Sequence, residues 1–556
     1  MKTASDDLVF VPLGGVGEIG MNLALYGYGR GKSRQWIMVD CGISFPGPEL
    51  PGIDVIMPDI RFAIEIADRL KAIMITHAHE DHYGALMDLW PFLQAPVYAT
   101  PFAAGLLEAK SEMENHAPDI PVTLVQQGER VSIGPFSIEY IPVSHSIPEP
   151  NALLIETPAG RIMHSGDWKI DPTPGVGQPM AKGRLAEIGE AGLDVLVCDS
   201  TNAIRDGVSP SEADVAGNLA DIVAKAKGRV AVTTFSSNVA RIRAVALAAK
   251  AAQRDVVVFG RSLRRVIDVA AELGYLDDCP EFHDEDAFGY LPNDRVVALC
   301  TGSQGEPRAA LARIAEGDHR HAVFSRGDLV IFSARAIPGN EKAIGAVMNG
   351  LANLEVDVLT DRDALVHVSG HPRKAELAEF YRLTRPKALV PVHGEPVHLE
   401  AHRGFAMECG IKSSVAARNG NMVRLLPGDP EVVDSVYAGI WVRDSRIVTT
   451  PERSGVTDRR RLSFAGAVFV SIVLDHKGNI LDDPIVEAIG LPVADQDGDM
   501  LEELAYSAII GAAESIPKPR RRDPDLVADA ISRACRSAIS QAWGKKPVCR
   551  VAVSVV

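Results

Sequence analysis

At 556 residues the chain exceeds what one hydrophobic core supports, which implies two to four domains. A hydrophobic share of 46% and a charged share of 23% are those of a soluble globular protein. The longest apolar stretch, residues 463–474, is too short to span a bilayer and reads as a buried strand. A net charge of −16 argues against a broad, sequence-independent nucleic-acid surface, while leaving open the local neutralisation of a few phosphates.

The N-terminal MKTASDDL lacks a basic segment followed by an apolar run, so no secretory leader is expected. Seven scattered cysteines without a CxxC pair fit reduced thiols, and a cytoplasmic location with no membrane association is expected. The first 200 residues alternate strands and loops, with strand-like runs at 8–13, 36–39, 72–76, 162–164 and 195–198. Gly15, Gly17 and Gly20 spell GxGxxG with Asp40 twenty residues on, but the following MNLALYGYGRG is strand-like. Those glycines serve tight turns, and Gly31-Lys32-Ser33 is a hairpin tip.

From 206 to about 356 the texture becomes strand–loop–helix units, with helices expected at 239–253, 263–273, 308–315 and 343–351. Four such units in series imply a mainly parallel sheet whose ligand-facing loops are 236–238, 301–306 and 333–340. Near Asp363 the first texture returns. A Pro/Ser/Gly/Arg stretch after about Arg453 reads as a linker before a final strand–hairpin–helix module, with Asp495–Asp499 capping a helix near Met500. The division expected is 1–205 and 361–450 as one split domain, 206–360 inserted, 451–462 linker, and 463–556 C-terminal.

The sharpest signal is Thr76-His77-Ala78-His79-Glu80-Asp81-His82, directly after the apolar AIMIT. Three histidines and an aspartate at HxHxDH can supply imidazoles and a carboxylate to two divalent ions. His77 and His79 alternate, so on extended backbone they face one side. Further ligand-type residues follow strands: His145, Asp167 in SGDWK and His393 in PVHGE. Each alone is as consistent with a buried polar residue; their joint order carries the reading. Asp40, ending WIMVD, is a candidate to orient a ligand from behind.

HAHEDH, His145, GDWK and PVHGE resemble the metallo-β-lactamase signature, and the α/β insertion is similar to that of the β-CASP nucleases. LGGVGEIGMN, SGDWKIDPTP, CDSTNA, TGSQGEP, FSARAIPGNE, HVSGH and PVHGE together resemble the bacterial ribonuclease J family. The resemblance implies an αββα sandwich with an inserted parallel-sheet domain and a small C-terminal α/β domain. It implies two zinc ions per subunit, with manganese or magnesium open as alternatives. His77, His79 and His145 would hold one ion, Asp81, His82 and His393 the other, and Asp167 would bridge. Asp199, His371 and His393 would be the β-CASP motif residues, and His367-Val368-Ser369-Gly370-His371 would grip the substrate phosphate.

The implied activity is hydrolysis of single-stranded RNA to 5′-phosphate products, as a 5′-to-3′ exonuclease preferring 5′-monophosphate ends and as an endonuclease. Two divalent ions about 3.5–4 Å apart lower the pKa of a shared water towards neutrality. Asp81 and Asp167 would hold the ions that do so. His371, held by Asp199, is the candidate proton donor to the leaving 3′-oxygen, or alternatively a hydrogen-bond donor to the phosphate. Ser333 and Asn340 are candidate contacts to a terminal phosphate. Phe45 can stack on a base, although packing is the commoner role for such an aromatic. Self-association as a homodimer or homotetramer through the C-terminal module, and partners in an RNA-decay complex, complete the expectation. A DNA nuclease of the same group, a small-ester hydrolase and a non-catalytic scaffold subunit are the alternatives.

Overall fold

The computed structural model describes residues 6–337 and 339–556. The chain forms two compact units: one runs to Ser44 and resumes over Met57–Ile440, the other comprises Phe45–Ile56 and Trp441–Val556.

Short β-branched and aromatic runs build two sheets in the first unit. The eight-stranded sheet includes Asp7–Gly14, Leu23–Gly29, Gln35–Val39 and Leu70–Met74 as consecutive neighbours. The seven-stranded sheet includes Phe136–Pro142, Asn151–Thr157, Gly160–His164, Leu193–Asp199 and Pro386–Val392. Their inner faces share one core, in which Phe10, Tyr26, Val39 and Met74 meet Phe136, Tyr140, Val197 and Val390. The next residues in register are buried too, so these strands are covered on both faces, which is why they read as continuous apolar runs. On the outer face of the second sheet, Leu154, Met163, Leu196 and Leu389 pack with Leu185, Leu377 and Phe380 of the helices Lys182–Ala191 and Lys374–Thr384.

The inserted segment is a six-stranded parallel sheet, ordered Phe282–His283, Asp255–Phe259, Val296–Cys300, Val230–Thr233, Leu329–Phe332, Asp357–Leu359. The expected helices form at Val239–Ala251, Arg261–Glu272, Ala310–Ala315 and Glu341–Asn353. The two edge strands were not expected; one is two residues long and the other three, too short for a periodic signal. A further helix, Glu212–Lys225, opens on a capping box from Ser211 and Asp214.

In the second unit, Ile485–Ile489, Ala467–Leu474 and Val548–Val555 form a sheet with one face on the helices Leu501–Ser515 and Pro524–Trp543. Three expectations change here. The stretch read as linker is largely helical, Val456–Ala465, so Ser463 to Ala465 end a helix and the strand begins only at Ala467. The helix after Met500 carries no side-chain cap; Asp495 instead accepts from the backbone N–H of Asp497 and Asp499, closing a turn. No helix among the described residues is long and apolar enough to cross a membrane, and all seven cysteines are free thiols.

Candidate active site

The ligand-type side chains leave the carboxyl ends of neighbouring strands. Leu70–Met74 feeds the loop holding His77 and His79, and the single turn Glu80–Tyr83 brings Asp81 and His82 round behind them. His145 follows Phe136–Pro142, Asp167 follows Gly160–His164, Asp199 ends Leu193–Asp199 and His393 follows Pro386–Val392. The last three strands are parallel neighbours, so their loops necessarily open on one side.

Three sets of donor atoms converge, each within 4.8 Å: His77, His79, His145 and Asp167; Asp81, His82, Asp167 and His393; and Asp167, Asp199, His371 and His393. Asp167 belongs to all three. His79 Nδ1 lies 3.1 Å from His77 Nε2 and 3.0 Å from His145 Nε2. The outer nitrogens of those two rings are already engaged, His145 Nδ1 donating to the Gly370 carbonyl at 2.7 Å and His77 Nδ1 lying 3.0 Å from Thr76 Oγ. With the proton on the outer nitrogen, each ring turns a bare lone pair inwards towards its neighbour. A divalent cation satisfies such a set, so these residues fit a metal centre.

Asp40 sits as expected behind His82. Its carboxylate accepts from His82 Nδ1 at 2.7 Å and from the Thr76 amide at 2.8 Å. His82 Nε2 consequently faces Asp167 at 3.2 Å. His393 Nε2 stands 3.2 Å from Asp81, and its Nδ1 3.3 Å from Asp167. The backbone is strained where this is arranged: Asp40 and His393 take φ of +63° and +51°. His393 is held there by its amide donating to the Gly15 carbonyl at 2.7 Å, so the glycine turn that mimics a dinucleotide motif braces the PVHGE loop. Gly370 is required by close approach, since a Cβ would stand 2.4 Å from the His145 ring.

Burial pushes the His77 and His145 imidazoles well below their usual range and His79 to about 4. Burial also opposes protonation of His82, His371 and His393, but neighbouring carboxylates outweigh it: His82 rises well above the ordinary value, His371 rises, and His393 is pushed up to about 10. Asp167 and Asp199 are held below the carboxylate range: burial opposes this, and the facing imidazoles prevail.

His371 Nδ1 lies 2.8 Å from Asp199 Oδ2. Ser369 Oγ accepts from Asn202 Nδ2 at 2.8 Å, and the same amide reaches the His371 carbonyl. Val368 is buried, whereas His367 is half-buried with Nδ1 unpartnered. Ser333 is fully buried beneath this segment, its hydroxyl donating to the Val366 carbonyl at 2.6 Å. Asn340 lies against Gln304, and Pro338 of the same loop lies outside the described residues. Phe45 is 69% exposed, so packing is not its role. Glu80 and His164, left unassigned on sequence, are engaged by Lys110 and Tyr26. Sequence reasoning missed Asn22, Thr201 and Asn202 around the centre; CDSTNA contains the last two, but nothing in their spacing marks a role.

Residues 35–234 match the beta-lactamase superfamily domain, and 227–351 match the ribonuclease J beta-CASP domain. Residues 355–415 match the Zn-dependent metallo-hydrolase RNA specificity domain, and 454–556 the ribonuclease J C-terminal domain. The chain is 55% identical over 551 residues to ribonuclease J of Sinorhizobium meliloti, covering 99% of this chain and 98% of that one. It is 36% identical to ribonuclease J of Corynebacterium glutamicum, over 98% of this chain and 76% of the other. A crystal structure of a protein of unknown function from Enterococcus faecalis shares the fold at a TM-score of 0.53 and 16% identity, over 75% of this chain and all of that one.

Proposed function

This chain belongs to the ribonuclease J family, and we propose that it degrades single-stranded RNA from 5′-monophosphate ends in the 5′-to-3′ direction, and also cuts internally, with two divalent ions at its centre. The observation that carries the reading is the joining of two donor sets through Asp167. His77, His79 and His145 would hold one ion, Asp81, His82 and His393 the other, with zinc the metal favoured by the imidazole-rich set. Ions held there supply Lewis acidity towards the phosphate and lower the pKa of attacking water.

The protein's own groups divide the remaining work. Asp199 accepts from His371 Nδ1–H, which fixes the ring and leaves Nε2 free to give a proton to the leaving 3′-oxygen. Asn202 holds Ser369 and the His371 carbonyl, so the His367–His371 segment presents a fixed edge to a phosphate. Ser333 and Asn340 would serve the terminal phosphate indirectly, by supporting that edge and its neighbouring loop.

The C-terminal unit is assigned to self-association, as a dimer or tetramer; Phe469, Ile485 and Ile489 stand exposed on the sheet face opposite its helices, with Glu487 and Arg550 paired beside Phe469. RNA-decay partners and a cytoplasmic setting fit the same reading. Product analysis on one RNA carrying 5′-monophosphate, 5′-triphosphate or 5′-hydroxyl, with metal content measured on the same preparation, tests it. Stepwise release of nucleoside 5′-monophosphates and about two metal equivalents per chain are expected; indifference to the 5′ end would overturn the directional assignment.

A further inference from the structure

Arg241, on the helix Val239–Ala251, is a fully buried arginine with no ligand-type neighbour in the sequence to explain it. One guanidinium nitrogen donates to Glu212 at 2.8 Å. Another donates to the Val366 carbonyl at 2.7 Å, and also to the Ser333 carbonyl and hydroxyl. Val366 immediately precedes His367–His371, and the residues around it, 365–369, belong to no strand or helix. Their polar backbone therefore needs a partner from elsewhere.

The network continues on the far side of Glu212. Its backbone amide donates to Asp171 Oδ2 at 2.9 Å, and Asp171 pairs with the buried Lys169 at 2.7 Å, two residues beyond Asp167. Buried ions joined in this way add little net stability over well-packed apolar residues of similar volume. What they add is fixed geometry, because a planar guanidinium engages carbonyl and carboxylate only in one orientation. Here the fixed object is the near end of HVSGH, while Asn202 holds its far end.

We infer that Arg241 is a positioning residue, which sets the height of the His367–His371 segment over the centre and so governs capture of the substrate phosphate rather than the hydrolytic step. The inference rests on the proposed RNA substrate. The test uses full-length Arg241→Lys and Glu212→Gln. Lysine keeps the charge but cannot reach carboxylate and carbonyl together. Binding of a 5′-monophosphate RNA is measured by anisotropy in chelator, where no cleavage occurs, and kcat and KM are measured with metal restored.

Arg241→Lys is expected to weaken binding and raise KM about tenfold, the loss of one or two charge-assisted hydrogen bonds, and to keep kcat within about threefold. The advantage of a 5′-monophosphate over a 5′-hydroxyl end should shrink in step. Glu212→Gln should move the same quantities in the same direction by less, and it decides the matter if circular dichroism shows Arg241→Lys unfolded. Unchanged binding and KM, or a fall confined to kcat, overturns the inference. Wild-type protein that cleaves no RNA would instead remove the substrate assignment beneath it.

Discussion

Asp40→Asn probes how the centre is held. In the wild type the Asp40 carboxylate takes the Nδ1 proton of His82 at 2.7 Å and is anchored by the Thr76 amide at 2.8 Å and the Thr76 hydroxyl at 2.9–3.0 Å. An asparagine can keep the bond from the Thr76 amide through its carbonyl oxygen, which directs its NH2 at His82. Two donors then face each other, and the imidazole escapes only by moving its proton to Nε2. That nitrogen points inwards, 3.2 Å from Asp167, so the ring loses the lone pair a metal needs. Outer partners of this kind are worth about 10–100-fold in metal affinity, or roughly 1.4–2.7 kcal/mol. The loss should fall on one ion of the two, since His82 and His77 belong to different donor sets. Competition against a chromophoric chelator should therefore show one weakened and one near-normal site. RNA cleavage should fall in parallel and recover partly at high metal concentration. Two sites of wild-type affinity would show that Asp40 does not set the tautomer; equal weakening of both would show that the donor sets are not independent.

Three other outcomes are expected. His371→Gln should lower kcat by about 10²–10⁴ with little change in KM, and a substrate with sulfur replacing the bridging 3′-oxygen should recover most of it, because a thiolate leaves unprotonated; an equal defect on the sulfur substrate would make His371 a phosphate ligand instead. Asp171→Asn leaves Lys169 without its close counter-ion and should lower the melting temperature by several degrees at pH 7, the cost of breaking a buried pair being about 3–5 kcal/mol. Burial opposes ionisation of Asp171, but Lys169 outweighs it and holds the folded carboxyl below its usual value, so the wild-type advantage should persist from neutrality to about pH 4 and vanish as pH falls further; a difference independent of pH would refute the ion-pair account. Phe469→Asp with Ile489→Lys should lower the solution mass measured by light scattering without altering single-turnover cleavage, and an unchanged mass would remove that sheet face from any self-association.

The convergence of these side chains was legible because their chemistry is dense along the chain: HxHxDH puts four ligand-type residues within one short segment, and His145, Asp167 and His393 each follow a recognisable apolar strand. The parallel insertion was legible for a similar reason, each of its four inner strands being a short apolar run ahead of a helix. What could not be read was whatever depends on contact between distant segments. Arg241 lies mid-pattern on an ordinary helix, and its partners are 29, 92 and 125 residues away. Ser333 was expected at the face of the phosphate site because its loop composition suits phosphate; packing places it beneath, since the same hydroxyl serves equally well as a backbone brace. The helix inside the Pro/Ser/Gly/Arg stretch was not legible for a local reason: Ser and Arg are weak evidence against helix, and the burial of Val456 and Ala465 at the two ends of Val456–Ala465 supplies the tertiary support that composition does not record.

The charge balance, which pointed away from nucleic acid, is reconciled by where the cations sit. Lys374 donates its backbone amide to the Arg205 carbonyl at 3.0 Å, which puts Arg373 beside Arg205. The Arg205 guanidinium is pushed below its ordinary pKa first by burial and then by Arg335 and Arg373, so three positive charges share one neighbourhood with Asp361 as the facing carboxylate. Arg373 follows HVSGH by two residues and Arg205 follows Asn202 by three. A chain of net −16 can thus concentrate positive potential on the two loops that frame the proposed phosphate site, while acidic residues elsewhere repel backbone that arrives at the wrong place. On this account binding depends on few phosphates. The slope of log affinity against log salt for a single-stranded RNA should therefore be shallow, about two in magnitude for three neutralised phosphates at roughly 0.7 each, and a slope near that of a broadly basic nucleic-acid protein would contradict it.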